Sequence, residues 1–364
     1  IVRAPGRVNL IGEHTDYNEG LVFPAAIGLE TWICFLPTDD RTVELTRLDT
    51  NERAGFDLDD LGPPRDTWID YVAGTAWALA ERNVPLRGLR GVIASTIPIG
   101  SGLSSSAAIE LASAWALSER RPPLDGMALA QAAQRAENEF VGVRSGLMDQ
   151  FASSLGRRGA ALVLDCRSLD YHPVRLPADE FVLVACDTRS PRRLEASEYN
   201  ARRAQCERAV ELLARRDPAI RALRDVDMAM LESLRDVLDE ETFRRCEHVV
   251  RENQRVLAFE RALVAGDLSE VGRIMAEGHA SLRDLYEVSS RELDALVEIM
   301  SGVEGVVGAR MTGGGFGGCT VNLVARDAVD RARDAVAREY ERRTGLQAGF
   351  YVVEPVDGAG PLDD

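Results

Sequence analysis

The chain has 364 residues and a net charge of −16, with 45% hydrophobic and 28% charged residues. It can bury a large core, most naturally as two domains, and its acidity excludes a nucleic-acid binder that works by neutralising phosphates. There is no lysine, all 43 basic residues being arginine, which excludes chemistry built on a phosphate-loop lysine, a kinase strand lysine or a Schiff base.

Any handling of ATP must therefore rest on backbone amides, a metal ion, arginine and hydroxyls. No apolar run is long enough to span a bilayer, and no signal-peptide pattern is present. The six scattered cysteines form no C-x-x-C pair. They read as reduced thiols of a cytoplasmic protein, without a disulfide frame or a zinc site. The chain begins at Ile1, so upstream sequence is expected to be missing.

Residues 3–9 read as a strand and turn, with further strands at 20–27, 31–36 and 42–48. The first stretch, Ala4-Pro-Gly-Arg-Val-Asn-Leu-Ile-Gly-Glu-His-Thr-Asp-Tyr-Asn18, gathers Arg7, Asn9, Glu13, His14, Asp16 and Asn18. Such a cluster suits a sugar, whose hydroxyls need paired donors and acceptors at fixed angles. A solvated loop with a salt bridge would look similar.

Helical spacing over 68–82 leads to an apolar strand at 89–97 and then to Pro98-Ile-Gly-Ser-Gly-Leu-Ser-Ser-Ser-Ala-Ala108. Glycines let the backbone bend close to a ligand. The serines cap a helix predicted over 107–119, whose free N–H groups attract phosphates. An ordinary Gly–Ser turn before a helix would read the same way.

A helix over 129–140 breaks before Ser145-Gly-Leu-Met-Asp-Gln150, and another runs from 149 to about 155. Glu137 and Asp149 are of the right type for a magnesium ligand and a base. Spacing does not decide this, and surface charge on helix ends is the commoner state of an acid. A strand at 160–165 follows.

The strand at 181–187 opens the expected second domain. A long helix carries Tyr199, Cys206, Val210 and Leu213 on one face, and more helices fill 218–275. Ser289-Ser-Arg-Glu292 is a capping-box signature for a helix to Met300. A strand, Gly313-Gly-Gly-Phe-Gly-Gly318, a strand at 320–324, a helix over 328–344 and a strand at 349–353 complete the ordered part. Five glycines around one Phe bring backbone close to something, a phosphate or a packed element. The domains are expected at 1–178 and 179–355, with 356–364 a tail that need not fold.

These stretches together resemble the galactokinases, within the GHMP kinase superfamily, over nearly the whole chain. Gly6–Asn18 is similar to the galactokinase signature and 98–108 to the superfamily's phosphate-binding motif. Gly146–Phe151, Gly313–Cys319, Glu198-Tyr-Asn-Ala-Arg-Arg203, His279-Ala-Ser-Leu-Arg-Asp284 and Tyr286-Glu-Val-Ser289 resemble further landmarks.

The resemblance implies a two-domain α/β (α+β) fold of the GHMP-kinase type, with mixed and antiparallel sheets and the active site in the inter-domain cleft. It implies ATP-dependent phosphorylation of the anomeric hydroxyl of galactose to galactose 1-phosphate. Asp149 is then the base and Arg7 its partner. Glu13, His14, Asp16, Gly146 and Tyr199 bind the sugar. Gly100, Ser101, Gly102, Leu103, Ser104, Ser105 and Ser106 cradle the nucleotide, and Ser106 and Glu137 hold Mg²⁺. The partners are ATP and a monosaccharide, without nucleic acid or membrane, and a monomer is favoured.

Three positions depart from the pattern. Ser145 stands where galactokinases usually carry Cys, and Gly278 replaces the Ser before His279. Pro191-Arg-Arg-Leu194 replaces a run with His at the place of Arg192. The intact Glu13-His-Thr-Asp16 set favours galactose, while the Pro191–Leu194 departure leaves room for a kinase of N-acetylgalactosamine, arabinose or a uronic acid. A further alternative is a non-catalytic sugar and ATP sensor, against which the intact Ser106-Ala107, Arg7 and Asp149 count.

Overall fold

A computed structural model of the chain describes residues 1–119, 121–190 and 195–362. The Pro191–Leu194 departure lies outside the described residues. The N-terminal half begins with β1 (Val2–Asn9), β2 (Leu21–Val22), β3 (Pro24–Thr38), β4 (Thr42–Arg47) and β5 (Arg53–Asp57). It continues through α1 (Ile69–Ala80), β6 (Gly88–Ser95), α2 (Ser105–Leu117), α3 (Gly126–Arg135), α4 (Met148–Leu155), β7 (Ala160–Asp165) and β8 (Tyr171–Arg175). The C-terminal half contains β9 (Phe181–Asp187), α5 (Glu195–Ala214), α6 (Met228–Ser233), α7 (Glu240–Ala265), α8 (Leu268–Asp284) and α9 (Arg291–Ser301). It ends with β10 (Val306–Thr312), β11 (Cys319–Ala325), α10 (Val329–Thr344), β12 (Gly349–Val353) and β13 (Gly360–Pro361).

Among the described residues the strands form three sheets, ordered β13-β1-β3-β6-β4-β5, β10-β11-β9-β12 and β2-β7-β8. The β4–β6 pair is parallel and the other ladders are antiparallel, so the sheets are mixed and antiparallel as expected. The fold is therefore a mixed α/β one. The expected division at 178/179 falls between β8 and β9. The largest apolar core runs across it, from Val8 and Ile11 to Val256, Phe259, Ile274 and Val321. Phe23 meets Phe259 edge-on at 5.6 Å between ring centroids, a geometry worth about 1 kcal/mol beyond its buried area.

Several elements differ from the sequence reading, each for an identifiable reason. The strands read at 20–27 and 31–36 are largely one, the 15-residue β3. A register shift at Pro5/Gly6 of β1 absorbs Gly28 and Leu29, so the glycine marks a bulge and no break. The helix read over 129–140 is regular to Arg135. It then widens into a π-turn over Ala136–Val141 that carries Glu137, a feature that clusters at functional sites. Ser290 caps α9 through Leu293 N–H, while Ser289 donates to Asp294 Oδ1 at 2.6 Å instead.

The tail is ordered over its described residues. Val356 and Ala359 donate backbone bonds to Ala26 and Ser153, and β13 pairs with β1. A Cβ at Gly358 would fall 2.1 Å from Ser154 O. Main-chain pairing holds this segment, which is why its Gly- and Asp-rich composition reads as unfolded.

Candidate active site

A cavity of about 490 Å³ opens between the halves. β1 brings Arg7 to it, and the loop after β1 brings Glu13, His14 and Asp16. The glycine loop and the first turn of α2 add Gly100, Gly102 and Ser104–Ser106. The π-turn contributes Glu137, the segment into α4 Ser145, Gly146 and Asp149, α5 Tyr199, and the loop after β10 Gly313 and Gly314. Ser101 and Leu103 do not line it. Both are buried: Ser101 Oγ donates to Pro98 O at 2.7 Å, and Leu103 O accepts from Arg7 N–H at 3.1 Å. Their side chains shape the loop from behind.

Arg7 and Asp149 meet at the centre. Arg7 Nε donates to Oδ1 at 2.9 Å and Nη2 to Oδ2 at 2.8 Å, while Nη1 donates to Gly102 O at 2.6 Å. Ser104 Oγ donates to Asp149 Oδ2 at 2.7 Å. Ser104 reaches it from a left-handed backbone, φ 61°, a conformation an L-residue adopts only when its surroundings impose it. The Arg7 side chain is 4% exposed and that of Asp149 is 23% exposed, so the pair is fixed from the protein side and open on the cavity side. Charged bidentate bonds of this kind define both distance and plane.

The polar end beside this pair holds the signature residues. Asp16 accepts from Tyr17 N–H at 3.0 Å. Burial, and then the neighbouring charge of Asp149, raise it to about 6. A Cβ at Gly146 would lie 1.9 Å from Asp16 Oδ2, so the close approach admits only glycine. His14 Nδ1 is 2.8 Å from Tyr17 Oη, and its buried Nε2 has no partner among the described residues. Burial lowers the imidazole to about 3, leaving it neutral, with one ring nitrogen available to a hydroxyl. The Tyr199 ring lies 5.5 Å from His14 and 5.5 Å from Tyr17.

Glu13 is tied to the opposite half. It pairs with the fully buried Arg310 and accepts from Gly313 N–H at 3.3 Å. Burial raises its carboxyl to about 7 against the pull of Arg310. Arg310 also meets Glu252 Oε1 at 3.0 Å, and Glu252 accepts from Gly12 N–H at 2.9 Å and from Arg255 at 2.6 Å. Burial pushes Glu252 up, but Arg255 and Arg310 together hold it below the usual range.

At the glycine-loop end, Glu137 Oε2 accepts from Gln150 Nε2 at 2.8 Å and from Ser145 Oγ, and Ser106 also bonds the carboxylate. Burial raises Glu137 above its usual range. Among the described residues, no cluster of three or more His, Cys, Asp or Glu side chains could hold a metal ion alone. Beyond the loop, the cavity ends in Trp68, Tyr71, Ile93, Ile97 and Ile109, an apolar wall with aromatic rings.

The sequence reading missed Arg310, Glu252 and the apolar wall. An arginine inside the apolar run Val306–Thr312 was the one available signal, because such a residue must be buried and paired. Glu252 sits in the charge-rich 26-residue α7, where nothing marks one acid out. Trp68 and Tyr71 lie in the stretch read as a helix over 68–82, where nothing marks them out.

Comparison with known proteins supplies three family matches. The description "Galactokinase galactose-binding signature" fits residues 1–37, "GHMP kinases N terminal domain" fits 70–157, and "GHMP kinases C terminal" fits 259–342. The chain is 48% identical to the galactokinase of Chloroflexus aurantiacus, over 95% of this chain and 89% of that one. It is 46% identical to the galactokinase of Roseiflexus sp., over 100% and 93%. Among solved structures, Lactococcus lactis galactokinase complexed with galactose superposes with a TM-score of 0.94 at 38% identity, covering 99% of this chain and 94% of that one. The mevalonate kinase of Methanococcus jannaschii, at 18% identity and a TM-score of 0.69 over 98% of both chains, shares the fold.

Proposed function

The chain belongs to the galactokinase family of GHMP kinases, and on that footing we propose that it transfers the γ-phosphoryl group of ATP to the anomeric hydroxyl of galactose. The observation that carries the reading is Asp149. Its carboxylate faces the cavity between the polar end and the glycine loop, and Arg7 holds both its oxygens.

Galactose sits at Glu13, His14, Asp16, Gly146 and Tyr199, where carboxylates accept from its hydroxyls and the neutral His14 ring offers one free nitrogen. A site built on buried polar groups discriminates strongly, because a sugar lacking a matching hydroxyl leaves one of them unpaired. The nucleotide's phosphates lie against Gly100, Gly102 and Ser104–Ser106, with the N–H groups at the start of α2 supplying the positive end of the helix. Ser101 and Leu103 support that loop. The base fits the Trp68–Tyr71 wall.

Asp149 takes the proton from the anomeric hydroxyl as its oxygen forms a bond to the γ-phosphorus and the bond to the ADP oxygen breaks. Arg7 keeps the carboxylate in place and adds positive charge beside the transferring group. The absence of lysine is no obstacle, since the loop works through amides and hydroxyls.

Ser106 and Glu137 fit a magnesium ion. They are hard oxygen donors at the phosphate loop, and magnesium is held by one or two protein oxygens plus phosphates. When bound, the ion neutralises charge on the phosphate oxygens. No helix among the described residues is long and apolar enough to cross a membrane, and six cysteines outside any disulfide among the described residues suit the reducing cytoplasm.

The test is product identification from Mg-ATP with galactose, N-acetylgalactosamine, arabinose and a uronic acid, by ³¹P NMR. A galactose 1-phosphate signal supports the reading. Phosphorylation of another sugar alone overturns the galactose assignment.

A further inference from the structure

Two buried carboxylates, Glu110 and Glu137, converge on a single amide. Gln150 Nε2 donates to Glu110 Oε2 at 3.0 Å and to Glu137 Oε2 at 2.8 Å. Among the described residues no arginine forms an ion pair with Glu137, unlike Glu13 and Glu252. In a chain without lysine, that leaves a buried acid at the phosphate loop held by neutral donors alone, an arrangement a cation completes.

The second donor on Glu137 Oε2 is the Ser145 hydroxyl. It is a well-placed donor, because the Ser145 backbone is tied on several sides. Its N–H donates to Val143 O at 2.9 Å, and its carbonyl accepts from Gln134 and Asn138, each at 3.3 Å. Arg203 donates to the preceding Arg144 carbonyl at 2.8 Å. The next residue, Gly146, is pressed against Asp16, so the segment has no slack at its other end. Asn138 Oδ1, at 3.3 Å, is a more distant acceptor for the same hydroxyl.

We propose that Ser145 is a positioning residue for the divalent cation: with Gln150 it pins Oε2 of Glu137 and leaves Oε1 as the oxygen that meets the ion beside Ser106. This rests on the reading of Glu137 as a magnesium ligand. Hydrogen bonds behind a ligand fix its rotamer and basicity, and their loss typically weakens metal binding by about 10–100-fold.

The experiment is a titration of Mn²⁺ into ADP-loaded protein, with the free ion followed by EPR. Wild type is compared with Ser145→Ala, Ser145→Cys and Glu137→Gln, and galactose affinity is measured on each by calorimetry. Ser145→Ala is expected to weaken Mn²⁺ by about tenfold while galactose affinity stays within about twofold. Ser145→Cys keeps the shape of the side chain, with a larger atom that is a weaker donor, and should fall between.

Wild-type Mn²⁺ affinity in Ser145→Ala, with a clear loss in Glu137→Gln, overturns the role of Ser145 and leaves the ligand reading standing. Wild-type affinity in Glu137→Gln overturns the ligand reading and the proposal with it. Parallel loss of galactose and Mn²⁺ affinity in Ser145→Ala marks a general disturbance of the loop and also overturns the proposal.

Discussion

Arg7 and Asp149, 142 positions apart, face each other through two hydrogen bonds, Nε to Oδ1 and Nη2 to Oδ2, at 2.9 and 2.8 Å. The arginine spends its remaining nitrogen on Gly102 O. One side chain thus sets the distance between the proposed base and the phosphate loop.

Arg7→Met should therefore strike kcat and leave galactose binding largely intact. Removing a fixed charge-stabilising donor costs about 10²–10³ in rate. Steady-state kinetics checks it. A galactose KM raised more than kcat is lowered would assign Arg7 to sugar binding.

The pH profile should report Asp16. Its carboxyl is raised to about 6, so it carries a proton below that pH and accepts hydroxyl protons only above it. In the free protein kcat/KM for galactose is expected to rise with pH through about 6. Asp16→Asn should remove that inflection while the one near 7 from Glu13 remains, and should raise the galactose KM by about 10–100-fold, the worth of a charged hydrogen bond. An inflection near 6 that persists in the variant would assign it to another group.

Gly146→Ala places a methyl where Asp16 Oδ2 now lies, 1.9 Å away. Asp16 must move, and the galactose KM should rise by about tenfold or more, with the ATP KM within about twofold. Parallel increases in both constants would contradict a sugar-specific role for this contact.

Arg310→Met leaves Glu13 and Glu252 buried with one counter-charge fewer. Breaking such a group by removing one partner costs about 3–5 kcal/mol. Urea unfolding of the variant checks it, and adding Glu13→Gln should recover part of the loss. A wild-type midpoint for the single variant would mean that the network carries little stability.

The legibility of this molecule in its sequence was uneven, for identifiable reasons. Strands 160–165, 181–187 and 349–353 match β7, β9 and β12 end to end, because an apolar run is bounded on both sides by turn residues. Arg7, Asp16, Gly146 and Asp149 were found through motifs and do meet at one cavity. What escaped depends on contacts distant in the chain. The bulge that joins two apparent strands into β3 is set by β1. The tail is held by main-chain bonds that leave no side-chain pattern. The burial of Arg310 shows itself only as a charge out of place in a strand, and Ser101 and Leu103 turn inward at a loop whose composition does not reveal which residues face the cleft.

The central claim is most directly tested by galactose-dependent ADP release from Mg-ATP, wild type beside Asp149→Asn, with galactose and ATP binding measured on both. Turnover reduced by about 10²–10⁴-fold in the variant, with both ligands still bound, is the expected result. Near-wild-type turnover in Asp149→Asn would contradict the assignment of Asp149 as the base.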